Sequence, residues 1–328
     1  MEVDQEHWLQ ILRHNQGFSD PDQWVPYARS HSFRKVKAHK LWSCPDCEAR
    51  DGRKLGQYVY YSTLITLKHC RRCGLAFADT HIDPEVIRHH FERAYKDEHY
   101  FMRRRAPIFD YVALLADSLA PERGRVLDIG GAQGHLLMAL RRRRQDLDLT
   151  LNDLSRNACE YAERVQGLQT ICCAIPKLVE VEGRFDVILL IDVLYYEPDI
   201  RGVWEAVRDL ASESCAVVIR VPGRLGVISL LNQAASFLQS QRWARRQTSI
   251  SWFNPEHVYV FSEAYLRQRL SGLGFDRVRF LPSPLLAQEG WSGLAAATYL
   301  RFAKAAHALT SGRSTITPCF LAIAQRGA

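Results

Sequence analysis

The chain has 328 residues, 47% hydrophobic and 24% charged, a composition that excludes a disordered polymer and provides for one large domain with a smaller one. Its 43 basic and 36 acidic side chains leave a net charge of +7, which favours anionic partners but falls short of a nucleic-acid-binding tail. No run reaches the ~18 to 20 apolar residues of a membrane span, and the acidic start MEVDQEHWLQ lacks the basic-then-apolar build of a secretion signal, so the expected location is the cytoplasm.

Residues 1–40 form an N-terminal segment with a short helix candidate at Glu6–His14 and a turn around Asp20-Pro21-Asp22. Residues 41–83 read as a zinc-binding module. Cys44-Pro-Asp-Cys47 and Cys70-Arg-Arg-Cys73 are two C-x2-C pairs with 22 residues between them, and each pair can present two thiolates from one tight turn to a tetrahedral metal. A redox dithiol would call for a βαβ pattern beside the pair, and neither pair has one. With four protein ligands the ion has no open position, so the expected Zn2+ is structural. His69 and His81 could substitute as ligands, but four thiolates make them unnecessary; Lys68, Arg71 and Arg72 are placed to offset the negative centre. The β-forming run Gln57–Leu67 predicts a strand between the pairs, as a zinc ribbon requires. The other five cysteines (Cys159, Cys172, Cys173, Cys215, Cys319) lie in or beside apolar runs and read as buried thiols.

A helical connector is expected over 84–120, with a helix starting at Asp83-Pro84 and running through Phe91 and Tyr95, and a second over Pro107–Leu119. From residue 121 to 328 apolar strands alternate with amphipathic helices, which predicts a parallel α/β sheet. Its first strand carries Arg125-Val-Leu-Asp-Ile-Gly-Gly-Ala-Gln-Gly-His135. The strand ends at Ile129, glycines turn the backbone, and a helix begins near Gly134, leaving bare backbone for a ligand to lie against. Asp128 discriminates: a carboxylate just before the glycines repels a pyrophosphate but suits a ligand carrying an ammonium and a sulfonium, as S-adenosylmethionine does.

The next strand, Leu147–Asp153, ends in an acid 23 positions after Gly130, near the spacing at which such folds place a carboxylate on ribose. Asp153 is the expected ribose ligand, with capping of the following helix as its alternative, although Ser155 is the better cap. The run Arg141–Arg144 falls at a helix end, where cations complement the macrodipole. Strands at Phe185–Ile191 and Cys215–Val221 are too apolar for a one-sided sheet and are expected at its centre. Asp192 ends the first of them, so Asp128, Asp153 and Asp192 are expected to line one crevice. A helix at Glu263–Leu273, a strand at Phe275–Leu281, a helix near Leu294–Leu309 and a strand at Pro318–Gln325 bring the count to about seven strands. An insertion at 223–250, apolar over Arg224–Leu238 and basic at Arg242–Arg246, is expected to act as a lid or substrate wall.

These motifs resemble those of class I S-adenosylmethionine-dependent methyltransferases, whose D-x-G-x-G-x-G pattern is met by Asp128, Gly130 and Gly134, with Ala132 in the middle glycine's place. More narrowly, the chain is similar to bacterial methyltransferases that carry a two-C-x2-C zinc motif before the catalytic domain, a group that includes sugar C-methyltransferases. The resemblance runs from Cys44 to about Gln325. It implies a Rossmann-like seven-stranded α/β methyltransferase sheet with an N-terminal zinc ribbon, and cofactor contacts from Asp128, Gly130, Gly131, Gly134, Asp153, Leu154, Asp192 and Tyr95. It further implies that Asn254-Pro-Glu-His257 matches a segment whose histidine serves as base, so His257 is the expected general base, with Glu256 orienting it and Tyr196 in reserve. Relatives carry Glu-His where this chain has Tyr195-Tyr196, and the sugar C-methyltransferases continue into a further C-terminal domain. The expected acceptor is a small molecule such as a nucleotide-linked sugar or another biosynthetic intermediate. An RNA methyltransferase and a non-catalytic cofactor-binding adaptor are the alternatives.

Overall fold

A computed structural model of the chain describes residues 37–60, 63–83, 85, 98–181, 183–223, 257–285, 291–312 and 315–327. The helix candidate at 6–14, all of the candidate at 84–95 but Glu85, the insertion over 224–250, Tyr95 and Glu256 lie outside the described residues. Two compact units emerge, Met1–Ile87 with Ile228–Val260, and Arg88–Val227 with Phe261–Ala328.

The described residues of the first unit hold six short strands: β1 (Ala38–Lys40), β2 (Gly52–Tyr60), β3 (Thr63–Cys70), β4 (Ala76–Ala78), β5 (Thr80–Ile82) and, from far along the chain, β11 (Tyr259–Val260). They form an antiparallel sheet in the order β11-β4-β3-β2 and a separate β1-β5 pair. The single strand expected over Gln57–Leu67 is instead the inner part of a hairpin, with Gly52 opposite Cys70 and Tyr60 opposite Thr63. The run of β-formers there contains no glycine, proline or asparagine to announce a turn. β11 joins the edge of this sheet through Tyr259 opposite Phe77, and the Ala78 N–H donates to the Val258 carbonyl at 2.8 Å. Leu67, Leu75, Phe77 and Tyr259 are buried inside this unit.

The described residues of the second unit include seven strands. In chain order its elements are α1 (Glu98–Leu119), β6 (Arg125–Ile129), α2 (His135–Arg141), β7 (Asp148–Asp153), α3 (Arg156–Arg164), β8 (Gln169–Cys172), a 3-10 turn at Ile175–Glu180, β9 (Phe185–Ile191) and α4 (Ile200–Leu210). They continue with β10 (Ala211–Pro222), α5 (Glu263–Gly272), β12 (Arg277–Pro282), α6 (Trp291–Leu309) and β13 (Cys319–Gln325). The strand order is β12-β13-β10-β9-β6-β7-β8, parallel from β10 to β8 and antiparallel where β13 pairs with β10 and β12. The seven-stranded α/β sheet expected from the alternating pattern is therefore present, but it is mixed rather than parallel throughout, because β13 runs antiparallel to both of its neighbours. The order reverses between β9 and β6, and ligands of open α/β sheets bind at the strand carboxyl ends at such a switch point.

Local chemistry accounts for the element limits. Val187–Leu190 of β9 are all buried because a central strand is covered on both faces. Ser155, Asp199 and Ser262 cap α3, α4 and α5 by accepting from Ala158, Gly202 and Tyr265 N–H respectively. α1 begins earlier than Pro107, which lies inside it rather than at its first turn. The arginine run after α2 meets carboxylates: Arg142 pairs with Asp110, Arg143 with Asp117, and Arg144 with Asp117 and Asp146. Among the described residues, no helix is long and apolar enough to cross a membrane.

Candidate cofactor site and cysteine cluster

At the end of β6 the apolar strand carries one acid. Asp128 is buried, and its Oδ2 has no hydrogen-bond partner among the described residues. Burial away from water, with the like charge of Asp153 added, pushes its carboxyl up to about 8. The loop that follows is clamped to β7: Gly130 and Gly131 N–H both donate to the Asn152 carbonyl, at 2.8 and 3.0 Å, and Ala132 N–H donates to Asp153 Oδ2 at 2.9 Å. Ala132 itself adopts φ +50, so the loop keeps its left-handed bend without the middle glycine of the family pattern. Three glycines are required sterically: Gly130, at φ +70, would place a Cβ 2.4 Å from Val193 Cγ2. A Cβ on Gly131 would lie 2.6 Å from Asp128 Oδ2, and Gly134, the N-cap of α2 at φ +81, would place a Cβ 2.3 Å from Leu168 Cδ1.

Asp128 and Asp153 are thus brought together. In the register Asp128 lies opposite Leu151, so Asp153 shares its face of the sheet. Both Asp153 oxygens already accept backbone N–H groups, Oδ2 from Ala132 and Oδ1 from Ser155 at 2.8 Å, which makes this residue the clasp between the glycine loop and α3. A carboxylate oxygen accepts more than one bond, so room remains for ligand hydroxyls. Burial raises Asp153 to about 6 despite those bonds. Leu154, beside it, is 38% exposed.

Asp192 is placed differently. It follows β9 at φ +60, and its carboxylate is taken by arginines: Arg220 Nη1 donates to both oxygens, at 2.5 Å for Oδ2, and Arg105 Nη1 lies 3.5 Å from Oδ2. Burial alone would raise this carboxyl, but the charges of Arg220 and Arg105 outweigh it and hold Asp192 below its ordinary value. Tyr195 is buried and hydrogen-bonded to Asp192, and its ring lies 4.6 Å from that of half-buried Tyr196. The two arginines are the site residues that sequence reasoning passed over. Arg220 had left a signal, a lone charge in the otherwise apolar run Ala216–Val221.

In the first unit the four expected metal ligands converge. The sulfurs of Cys44, Cys47, Cys70 and Cys73 all lie within 4.8 Å of one another, with Cys44 to Cys73 at 3.6 Å and Cys47 to Cys70 at 3.5 Å. Ligands at ~2.3 Å from a tetrahedral zinc stand about 3.8 Å apart, so the donor set and spacing fit that ion. The two turns repeat one design. Cys44 and Cys70 each donate N–H to the carbonyl five residues on, at 2.9 Å, and Glu48 and Gly74 follow the second cysteine of each pair in the left-handed region at φ +60 and +80. Lys68 and Arg71, expected to offset the thiolates, face acids instead: Lys68 is 3.5 Å from Asp79 and Arg71 3.6 Å from Asp51. His257 also belongs to this unit, half-buried just ahead of β11.

A mixed, mostly parallel sheet with an acidic glycine loop at its switch point defines a Rossmann-like ligand-binding domain. A family model described as a methyltransferase domain matches residues 99–279, more than half of the chain, and the chain belongs to that family. Over 139 residues it is 30% identical to the ribosomal RNA small subunit methyltransferase C of Escherichia coli O17:K52:H18 (strain UMN026 / ExPEC), covering 39% of this chain and 40% of that protein. The chain thus spans about two fifths of the length of that curated relative. Similar solved structures include a SAM-dependent methyltransferase from Archaeoglobus fulgidus (15% identity, TM-score 0.45, 70% of this chain and 100% of that one). Another is the magnesium protoporphyrin IX methyltransferase of Synechocystis PCC 6803 with bound SAH (15% identity, TM-score 0.46, 75% and 100%).

Proposed function

We propose that the protein transfers a methyl group from S-adenosylmethionine to a small-molecule or sugar-type acceptor in a biosynthetic pathway. The observation that carries this reading is the buried Asp128 carboxylate, with an oxygen lacking a partner, beside glycine backbone that leaves no room for a side chain. A group so placed pays for its burial only when a cation or donor arrives, and a pyrophosphate would be repelled. Asp128, Gly130, Gly131 and Gly134 would hold the cofactor's charged end, with Asp153 and Leu154 at its ribose. The cofactor supplies an electrophilic methyl on a sulfonium. The protein's contribution is to hold an acceptor in line and to remove its proton, for which His257 is the proposed base, Glu256 its orienting partner and Tyr196 the reserve. The four cysteines hold a structural Zn2+.

The name of the E. coli relative favours a second reading, methylation of RNA. Transfer of labelled methyl separates the readings: label is expected on nucleotide-linked sugars or related small acceptors, whereas label on ribosomal RNA alone would overturn the small-molecule acceptor. No transfer to either class would leave a cofactor-binding adaptor. With a working acceptor, His257→Ala is expected to lower turnover roughly 10²-fold while S-adenosylhomocysteine affinity holds; unchanged turnover removes His257 from the mechanism.

A further inference from the structure

The five cysteines outside the metal cluster were all expected as buried thiols, and one departs from this most clearly. Cys159, in the first turn of α3, is buried, whereas Cys172, the last residue of β8, is exposed. β8 is an edge strand of the seven-stranded sheet. Cysteine is among the residue types most often fully buried, and a thiol exposed at a strand end is open to reagents that a buried sulfur escapes.

The fold brings these two sulfurs together around Asp153. The Cys159 thiol donates to the Asp153 carbonyl at 3.5 Å. Cys172 lies directly opposite Asp153 in the parallel register of β7 with β8, and its side chain is within hydrogen-bonding reach of Cys159. Burial, with the Cys172 side chain adding to it, pushes the Cys159 thiol up, so at neutral pH it keeps the proton that it donates. Cys173 is not part of the pair: its Sγ lies 3.8 Å from Asn152 Nδ2, and Asn152, one residue before Asp153, points to the opposite face of the sheet.

The place of Asp153 gives the pair a use. Its carboxylate clasps the glycine loop to α3 through the Ala132 and Ser155 N–H groups, and its carbonyl accepts from Cys159. A disulfide has no S–H to donate. Closing one between Cys159 and Cys172 would remove that hydrogen bond from the backbone of the residue proposed to hold the cofactor's ribose, and would tie the first turn of α3 to the end of β8.

We infer that Cys159 and Cys172 are a peroxide-sensitive thiol pair whose oxidation to a disulfide loosens the Asp153 clasp and lowers cofactor affinity. The loss of affinity rests on the methyltransferase reading; the formation of the bond does not. The accessible Cys172 gives its proton to solvent, and its sulfur attacks hydrogen peroxide, breaking the O–O bond to leave a sulfenic acid and a hydroxide that takes up a proton as water. The Cys159 sulfur then attacks the Cys172 sulfur, the S–S bond forms, and the hydroxyl leaves with the Cys159 proton as a second water. The two thiols together lose two electrons and two protons, and an added dithiol reverses the bond.

Trypsin cuts after Arg156, Arg164 and Lys177, which puts Cys159 in the peptide Asn157–Arg164 and Cys172 with Cys173 in Val165–Lys177. The full chain, treated with hydrogen peroxide and digested without reductant, is expected to yield these two peptides joined, lighter by two hydrogens than their sum. Cys173→Ser should keep the link and Cys172→Ser should abolish it. Calorimetry on the same treated samples is expected to show S-adenosylhomocysteine binding roughly threefold or more weaker in wild type than in Cys172→Ser, with the difference removed by dithiothreitol. The variant retains the four clustered cysteines, so oxidation there is common to both samples. Should Cys172→Ser fail to fold, Cys172→Ala takes its place. Absence of the joined peptides overturns the proposal, as does a link made through Cys173, or a correct link that leaves affinity equal to that of the treated variant. Failure of reduced wild type to bind S-adenosylhomocysteine at all would instead overturn the methyltransferase reading, with the joined peptides still deciding whether the thiols pair.

Discussion

Asp128 is a carboxylate in surroundings that favour its protonated form, and this gives its role a pH signature. Its carboxyl is raised from an ordinary 3.8 to about 8 in the folded protein. The folded state then holds a proton that the unfolded state has released, so the stability associated with Asp128 is full below 3.8 and is lost as pH rises toward 8. Asp153, raised to about 6, acts with the same sign over the lower part of that window. A cationic ligand favours the charged form, so S-adenosylmethionine affinity should rise between pH 6 and 8, by at most about tenfold per unit. In Asp128→Asn the affinity should fall roughly tenfold or more at pH 8 and the pH slope should flatten. Calorimetry across that range checks both, and a flat wild-type profile would remove Asp128 from the cation-binding role. All three strand-end acids were legible as acids at strand ends. What was not legible was that Asp192 is spent on Arg220 and Arg105, because the arginines come from elements 28 and 87 positions away in sequence, Arg220 and Arg105 respectively.

At the scale of elements, the glycine loop and the cysteine turns are set by short-range sterics, and these were readable from residue type. Gly134 takes a left-handed conformation as the N-cap of α2, and a Cβ there would run into the Leu168 side chain from the α3–β8 connection. Gly134→Ala should therefore destabilise the protein by about 1–3 kcal/mol, the left-handed cost plus crowding. Urea unfolding with an unchanged slope would measure it, and a loss below ~0.5 kcal/mol would show that the loop relaxes freely. Where pattern alone was the guide, boundaries slipped. The β2–β3 hairpin looked like one strand because its sequence continues β-forming across the turn, and α1 extends ahead of Pro107 although proline is commonest in a first turn.

For the whole molecule, the division of the chain is the main structural result. The two cysteine turns of the first unit lie between short strands, one between β1 and β2 and the other between β3 and β4, and a cross-link between the turns would staple them. Zinc is expected to supply it. Metal analysis should find about one zinc per chain. Stripping it with a chelator should abolish hydrogen-exchange protection in β2 and β3 while β6, β9 and β10 of the second unit stay protected. Protection in β2 and β3 that survives complete metal removal would make the metal dispensable for folding. The return of the chain to the first unit at Tyr259–Val260 also puts His257, the proposed base, in the unit that carries the cysteines.

By itself the sequence determined what depends on neighbours along the chain: the two C-x2-C turns, the acidic glycine loop after β6, the alternation that makes a seven-stranded α/β sheet, and the Ser155 cap. Each follows from the conformational limits of a few adjacent residues or from a short period of apolar side chains. Tertiary structure alone decided the partners of buried charge: Asp153 as the clasp on Ala132, Asp192 between two arginines, Asp128 with an oxygen unpaired. It also decided that β11 belongs to the cysteine-bearing sheet. Such choices turn on which strands lie side by side, and a strand's own residues record how apolar its surroundings are but not which neighbour supplies them.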